Sequence, residues 1–99
     1  MKLHSGKQVL VLGIGRISFT NDSPALMLKY QTELSIDDKE SLRREVEEIW
    51  EQFKADVEKQ GLTQAIIRAN EPASGSLIKR NRTFNYIFKK TASGKWEME

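Results

Sequence analysis

Six basic residues, Arg68, Lys79, Arg80, Arg82, Lys89 and Lys90, crowd the last third of this 99-residue chain, interleaved with Phe84, Tyr86, Phe88 and Trp96. Cations beside sheet-borne aromatics are the pattern that holds phosphates while bases stack. Read this way, the cluster is a candidate anion or nucleic-acid site. The same residues fit a solvated edge beside a core stripe, because Phe84, Tyr86 and Phe88 alternate as inward strand residues do. No RNP-like or KH-like motif accompanies them, so nucleic acid is a possible partner and not the favoured one.

Other chemistry has less to work with. His4 is the only histidine and there is no cysteine, which removes disulfides, thiol nucleophiles and histidine- or cysteine-based zinc sites. Nothing in the sequence asks for a metal or a cofactor, and no residue is expected to be catalytic. Glu45, Glu48 and Asp56 are expected on the flanks or outer face of a helix, where solvation is the default. Asp37 and Asp38 suit helix capping better than metal binding, leaving Glu33 and Glu71 as the acids nearest a cleft. Gly13, Gly15 and Ser18 trace an incomplete phosphate-binding glycine motif, but that motif must open a helix. Here the pattern continues as strand, so the glycines read as a bulge or bend. The triplets at Asn21 and Asn81 match glycosylation sequons and carry little weight. If the domain encloses a pocket between helix and sheet, Tyr30, Trp50 and Tyr86 are the residues to line it.

The elements that must position these groups are readable in turn. Residues 37–60 form a long amphipathic helix with Leu42, Val46, Ile49, Trp50, Phe53 and Val57 on one face. Ser35 or Asp37 is expected to cap it, with an acidic first turn suited to the helix dipole. Glu40–Arg44 and Lys54–Glu58 are spaced for i, i+4 pairing, and Gly61 stands where a left-handed residue ends a helix. Upstream, residues 7–19 carry apolar side chains on both parities, which predicts a strand buried on both faces. Residues 20–24 are rich in turn formers, and 25–34 alternate as a strand with one buried face. Downstream, strands are expected over 63–69, 83–90 and 95–98. Residues 70–82 form a polar connection pinned by Leu77 and Ile78.

This order, β-β-α-β-β-β, defines an α+β single domain over residues 1–99. One long helix packs on one face of an antiparallel or mixed, curved sheet, and residues 1–6 read as a flexible leader. In architecture alone the order is similar to the α+β rolls of the cystatin-like and NTF2-like domains, although the helix follows two strands here instead of leading. Composition agrees with a single core: 38% of residues are apolar, 30% are charged and the net charge is +2. Residues 1–36 sum to +2, 37–60 to −4 and 61–99 to +4, a split that more often reflects two faces of one surface than a nucleic-acid footprint. There is no membrane-spanning run and no apolar signal segment. The default address is therefore cytoplasmic, with export following only if a leader has been removed.

The reading that these features favour is a small non-enzymatic binding or interaction domain. One alternative is an anion-binding or nucleic-acid-binding module using the basic C-terminal third; another is a small roll-type enzyme with a pocket between helix and sheet. One helix covers one face of a sheet, so apolar residues on both parities of the first strand should leave surface uncovered. That predicts a homodimer through the open sheet face or an edge strand.

Overall fold

The computed structural model describes residues 1–19, 22–71 and 82–98. The tip of the first turn (Thr20 and Asn21) and the sites expected at Leu77, Ile78, Lys79, Arg80 and Asn81 lie outside them. Five strands and one helix follow the expected order: β1 (Leu10–Phe19), β2 (Asp22–Gln31), α1 (Lys39–Lys59), β3 (Gln64–Asn70), β4 (Thr83–Lys90) and β5 (Trp96–Met98). The strands lie side by side in sequence order in one mixed sheet. β2 and β3 run parallel while the other pairs are antiparallel. A parallel pair needs a crossover, and α1 is that crossover.

Both ends of α1 are built by short-range bonds. Ser35 turns the chain by accepting Asp37 N at its hydroxyl and Asp38 N at its carbonyl. The cap therefore falls not on Ser35 or Asp37 but on Asp38, whose Oδ1 accepts Ser41 N at 3.3 Å. At the C-terminus Gly61 has φ +71°, Gly61 N reaches the Glu58 carbonyl and Leu62 N the Val57 carbonyl. That is the reciprocal bonding of a Schellman end, which places a left-handed glycine directly after the helix.

The core is the layer between α1 and the sheet. Leu42, Val46, Ile49, Phe53 and Val57 pack onto Leu28 and Tyr30 of β2, Ala65, Ile67 and Ala69 of β3, and Tyr86 and Phe88 of β4. The alanines on β3 let the helix approach closely at the centre of the sheet. Trp50, on the shoulder of the stripe, is half-buried: it stacks on Phe88 at 4.2 Å and meets Trp96 edge-on at 5.0 Å. Trp96 closes this corner by donating its indole N–H to Glu58 Oε1 at 2.9 Å.

Two expectations are corrected. β1 is not buried on both faces. It is an edge strand beside β2 alone, and Leu10, Leu12, Ile14 and Phe19 are 42–58% exposed. Its apolar residues on both parities reflect an uncovered edge, because α1 lies over β3, two strands away. Nor do residues 1–6 form a flexible leader. A bridge from Lys2 to Gln8 folds residues 1–9 back, Leu3 and Val9 enter the core, and Ser5 Oγ donates to Glu48 Oε2 at 2.8 Å. Burial of Leu3 and hydrogen bonds to the flank of α1 hold the segment in place.

Of the two glycines read as a bulge, Gly13 adjoins one and Gly15 lies in regular register. The β1–β2 register slips between Val11 and Gly13, leaving Leu12 as the extra residue, and slips again between Ile17 and Phe19. The second irregularity accommodates Pro24, which has no N–H for the ladder.

Candidate functional site

The basic residues expected to form one patch are dispersed among the described residues. Arg82 sits at the start of β4 and is already engaged: Nη2 and Nε donate to the two oxygens of Glu71 at 2.7 and 2.9 Å, and Nη1 donates to Asp37 Oδ2 at 3.0 Å. Glu71 Oε1 also accepts Ile36 N at 2.6 Å. The Arg82 guanidinium, helped by that amide, holds the Glu71 carboxyl down at about 2. This clasp ties the end of β3 and the start of β4 to the turn that precedes α1. Lys89 and Lys90 lie at the opposite end of β4 from Arg82, a separation on the order of 23 Å along a strand. Lys90 lies over the Trp96 ring at 5.9 Å. Arg68, in mid-β3, donates from Nε to Asn85 Oδ1 at 2.9 Å on the face away from the helix.

The three residues expected to line an internal pocket belong to the core or pack against it. Tyr30 is fully buried in the core, and Trp50 is stacked on Phe88. Tyr86 borders a surface groove of about 330 Å³ with Lys39, Arg43, Phe84 and Met98. In that groove Lys39 Nζ stands 3.5 Å above the centre of the Phe84 ring.

Glu45, expected on a solvated flank, is instead buried in the structure. Glu45 is 4% exposed, ion-paired to Lys7, and accepts a hydrogen bond from Thr32 Oγ1 at 2.7 Å. Beside it the Tyr30 hydroxyl is buried with no hydrogen-bond partner among the described residues. Burial, then the Glu45 charge, push the Tyr30 phenol well above its ordinary value. Glu45, Thr32 and Tyr30 line none of the three grooves described in this section, and only Lys7 borders one. The evident work of the group is to join the folded-back residues 1–9 to α1 and β2.

What remains open is β1. One side of this ten-residue strand has no neighbour in the sheet among the described residues. On the face away from α1, β1, β2 and β3 form a concave strip of about 440 Å³. Gly13 and Gly15 make its floor, Leu12 and Ile17 stand near its ends, and Lys29 and Arg68 form its far wall. Lys29 and Arg68 are direct neighbours across the parallel β2–β3 pair. A small apolar cluster of Ala25, Met27 and Ile66 lies alongside, packed against Ile17 and Ile87. Sequence reasoning included Arg68 but missed Lys29, which reads locally as an ordinary outward residue of an alternating strand. A further depression of about 380 Å³ at residues 7–10 includes Glu33.

No protein-family model matches this chain, nor does any curated protein or solved structure. No helix among the described residues is long and apolar enough to cross a membrane.

Proposed function

We propose that this chain is a non-enzymatic interaction domain that works by strand addition along the free edge of β1, with a second copy of itself as the partner. One observation carries the reading: β1 is a ten-residue edge strand bearing four large apolar side chains that are 42–58% exposed. Edge strands of monomers are normally shortened, charged or interrupted by proline, because unpaired N–H and C=O groups recruit other strands. β1 has no proline and a single charged residue, Arg16. The other edge, β5, is only three residues long and follows Lys95.

A second copy satisfies this edge without further components. Antiparallel pairing about a twofold axis is self-complementary, and an axis near Gly13 or Ile14 places Arg16 opposite an apolar residue and not opposite its own copy. The exposed apolar residues concentrate on β1, whereas Met27 and Ile66 of the open face are buried, which favours the edge over the open face as the route. The dispersal of Arg82, Lys89 and Lys90 along β4 weighs against a nucleic-acid module, which needs its cations along one track.

Light scattering across micromolar concentrations tests the proposal. The expected result is a mass approaching twice 11.4 kDa, reverting to the single-chain mass in Leu12→Lys and Ile14→Lys with the circular dichroism spectrum retained. A wild-type mass of 11.4 kDa throughout, or a dimer indifferent to both substitutions, overturns it.

A further inference from the structure

The bulge beside Gly13 leaves both Gly13 and Gly15 in ordinary strand conformation. Neither has a positive φ, and a Cβ built on either meets no atom within 4 Å. No turn, backbone conformation or crowding within the described residues requires a glycine at either place. Glycine inside a strand nevertheless costs stability, through chain entropy and lost side-chain packing. Two glycines on the same face, at positions where a Cβ would meet no atom, keep a strip of β1 backbone bare. Such a strip is suited to the close approach of something outside the chain.

The surroundings define that occupant's chemistry. Nine of the described residues line the strip, among them the cations Arg16, Lys29 and Arg68 and no carboxylate. Arg16 bonds to Gln60 at the end of α1, whereas Lys29 and Arg68 stand side by side across β2 and β3. Arg68 is oriented by the neutral Asn85 amide oxygen, so its charge is positioned without being cancelled, and Lys29 makes no ion pair among the described residues. The rest of the wall is apolar, from Leu12, Ile17 and Met27. A volume of about 440 Å³ is in the range of small-molecule sites.

We infer that this strip binds an elongated anionic amphiphile: a carboxylate or phosphate-monoester head between Lys29 and Arg68, with a short alkyl chain lying along the backbone of Gly13 and Gly15. The head gains charge-assisted hydrogen bonds from the guanidinium, and the chain removes Leu12 and Ile17 from water. The inference is independent of edge pairing. The edge is satisfied in the plane of the sheet, and the strip lies on its face.

Sodium octanoate and octyl phosphate, each below its micellar concentration, are the probes, and amide chemical shifts in nitrogen-15-labelled protein are the readout. Saturable shifts centred on the Gly13 and Gly15 amides are expected, with acetate and octanol each at least tenfold weaker. Arg68→Gln and Lys29→Gln should each weaken octanoate at least fivefold. Gly15→Val should abolish the shifts while its urea midpoint stays at or above that of wild type, since a β-branched residue suits a strand with open space. A preference for either probe head identifies the head group, and both results support the site. The inference is overturned if octanol matches octanoate, if shifts centre elsewhere or do not saturate, or if folded Gly15→Val binds like wild type. It is also overturned if Gly15→Val converts a dimer to the single-chain mass, because the strip would then hold a second copy.

Discussion

Removing Lys7 should destabilise this domain far more than removing the buried acid with which it pairs. Glu45 has 3% of its side chain exposed and Lys7 has 37%, so the two sites respond differently to loss of the partner. In Lys7→Met the carboxylate stays in the core with the Thr32 hydroxyl but no counter-charge. Breaking a fully buried pair costs about 3–5 kcal/mol. Water can follow into the space that Lys7 leaves, so screening roughly halves this, to about 2 kcal/mol. For a domain of this size that is a fall of roughly 8–16 °C in Tm. In Glu45→Leu the lysine swings into solvent and the core gains an apolar side chain. The offsetting loss is one hydrogen bond to Thr32, so the net change should stay within about 1 kcal/mol. The double variant should recover most of what Lys7→Met loses. Urea unfolding followed by circular dichroism measures all three. If Lys7→Met costs under about 0.5 kcal/mol, or Glu45→Leu costs as much as Lys7→Met, the pair does not hold residues 1–9 against α1 as argued.

Three other perturbations follow from the same structure. Tyr30→Phe deletes a buried hydroxyl without a partner and should stabilise by about 1 kcal/mol. Because the folded phenol is raised above an ordinary value of 10.0, its contribution to wild-type stability should be complete below that pH and fall above it; a melt series in alkali should show that fall become shallower in the variant, with the part due to Tyr86 remaining. Glu71, held at about 2 in the folded chain against an ordinary 4.5, contributes stability above pH 4.5 that is lost as pH falls through 2, and Glu71→Gln should flatten that acid limb of the unfolding midpoint. Phe53→Ala should cost about 3–5 kcal/mol and half-buried Trp50→Ala clearly less, with equal losses in urea melts refuting the placement of Trp50 on the shoulder of the helix stripe.

The legible parts of this fold are those whose cause is local. The spacing of Leu42, Val46, Ile49, Phe53 and Val57 prescribes which face of α1 is buried, whatever lies opposite. Gly61 ends the helix because the left-handed conformation disfavours other residues, and the alternation of Phe84, Tyr86 and Phe88 marks a strand with one inner face. The cap lies on Asp38, not on Ser35 or Asp37, because Ser35 turns the chain by accepting the amides of Asp37 and Asp38. Glu45 was legible in principle. It stands three residues after Leu42 and four before Ile49, on the shoulder of the stripe, and only its chemical type argued for solvent. Its burial required Lys7 and Thr32, neither of them near it in sequence.

Residue order alone determined that one helix and five strands share a single core, because period and punctuation act over a few residues. Tertiary structure decided which strand stands at the edge. A run that is apolar on both parities has the same local pattern in the middle of a sheet as at its margin; the difference lies in how many neighbours it has and where the helix rests. Placing β1 beside β2 alone turned an expected core strand into the most exposed apolar element of the protein. The parallel pairing of β2 with β3 brought Lys29 and Arg68 side by side above two bare glycines, because strand register, which no local pattern encodes, decides which residues share a row.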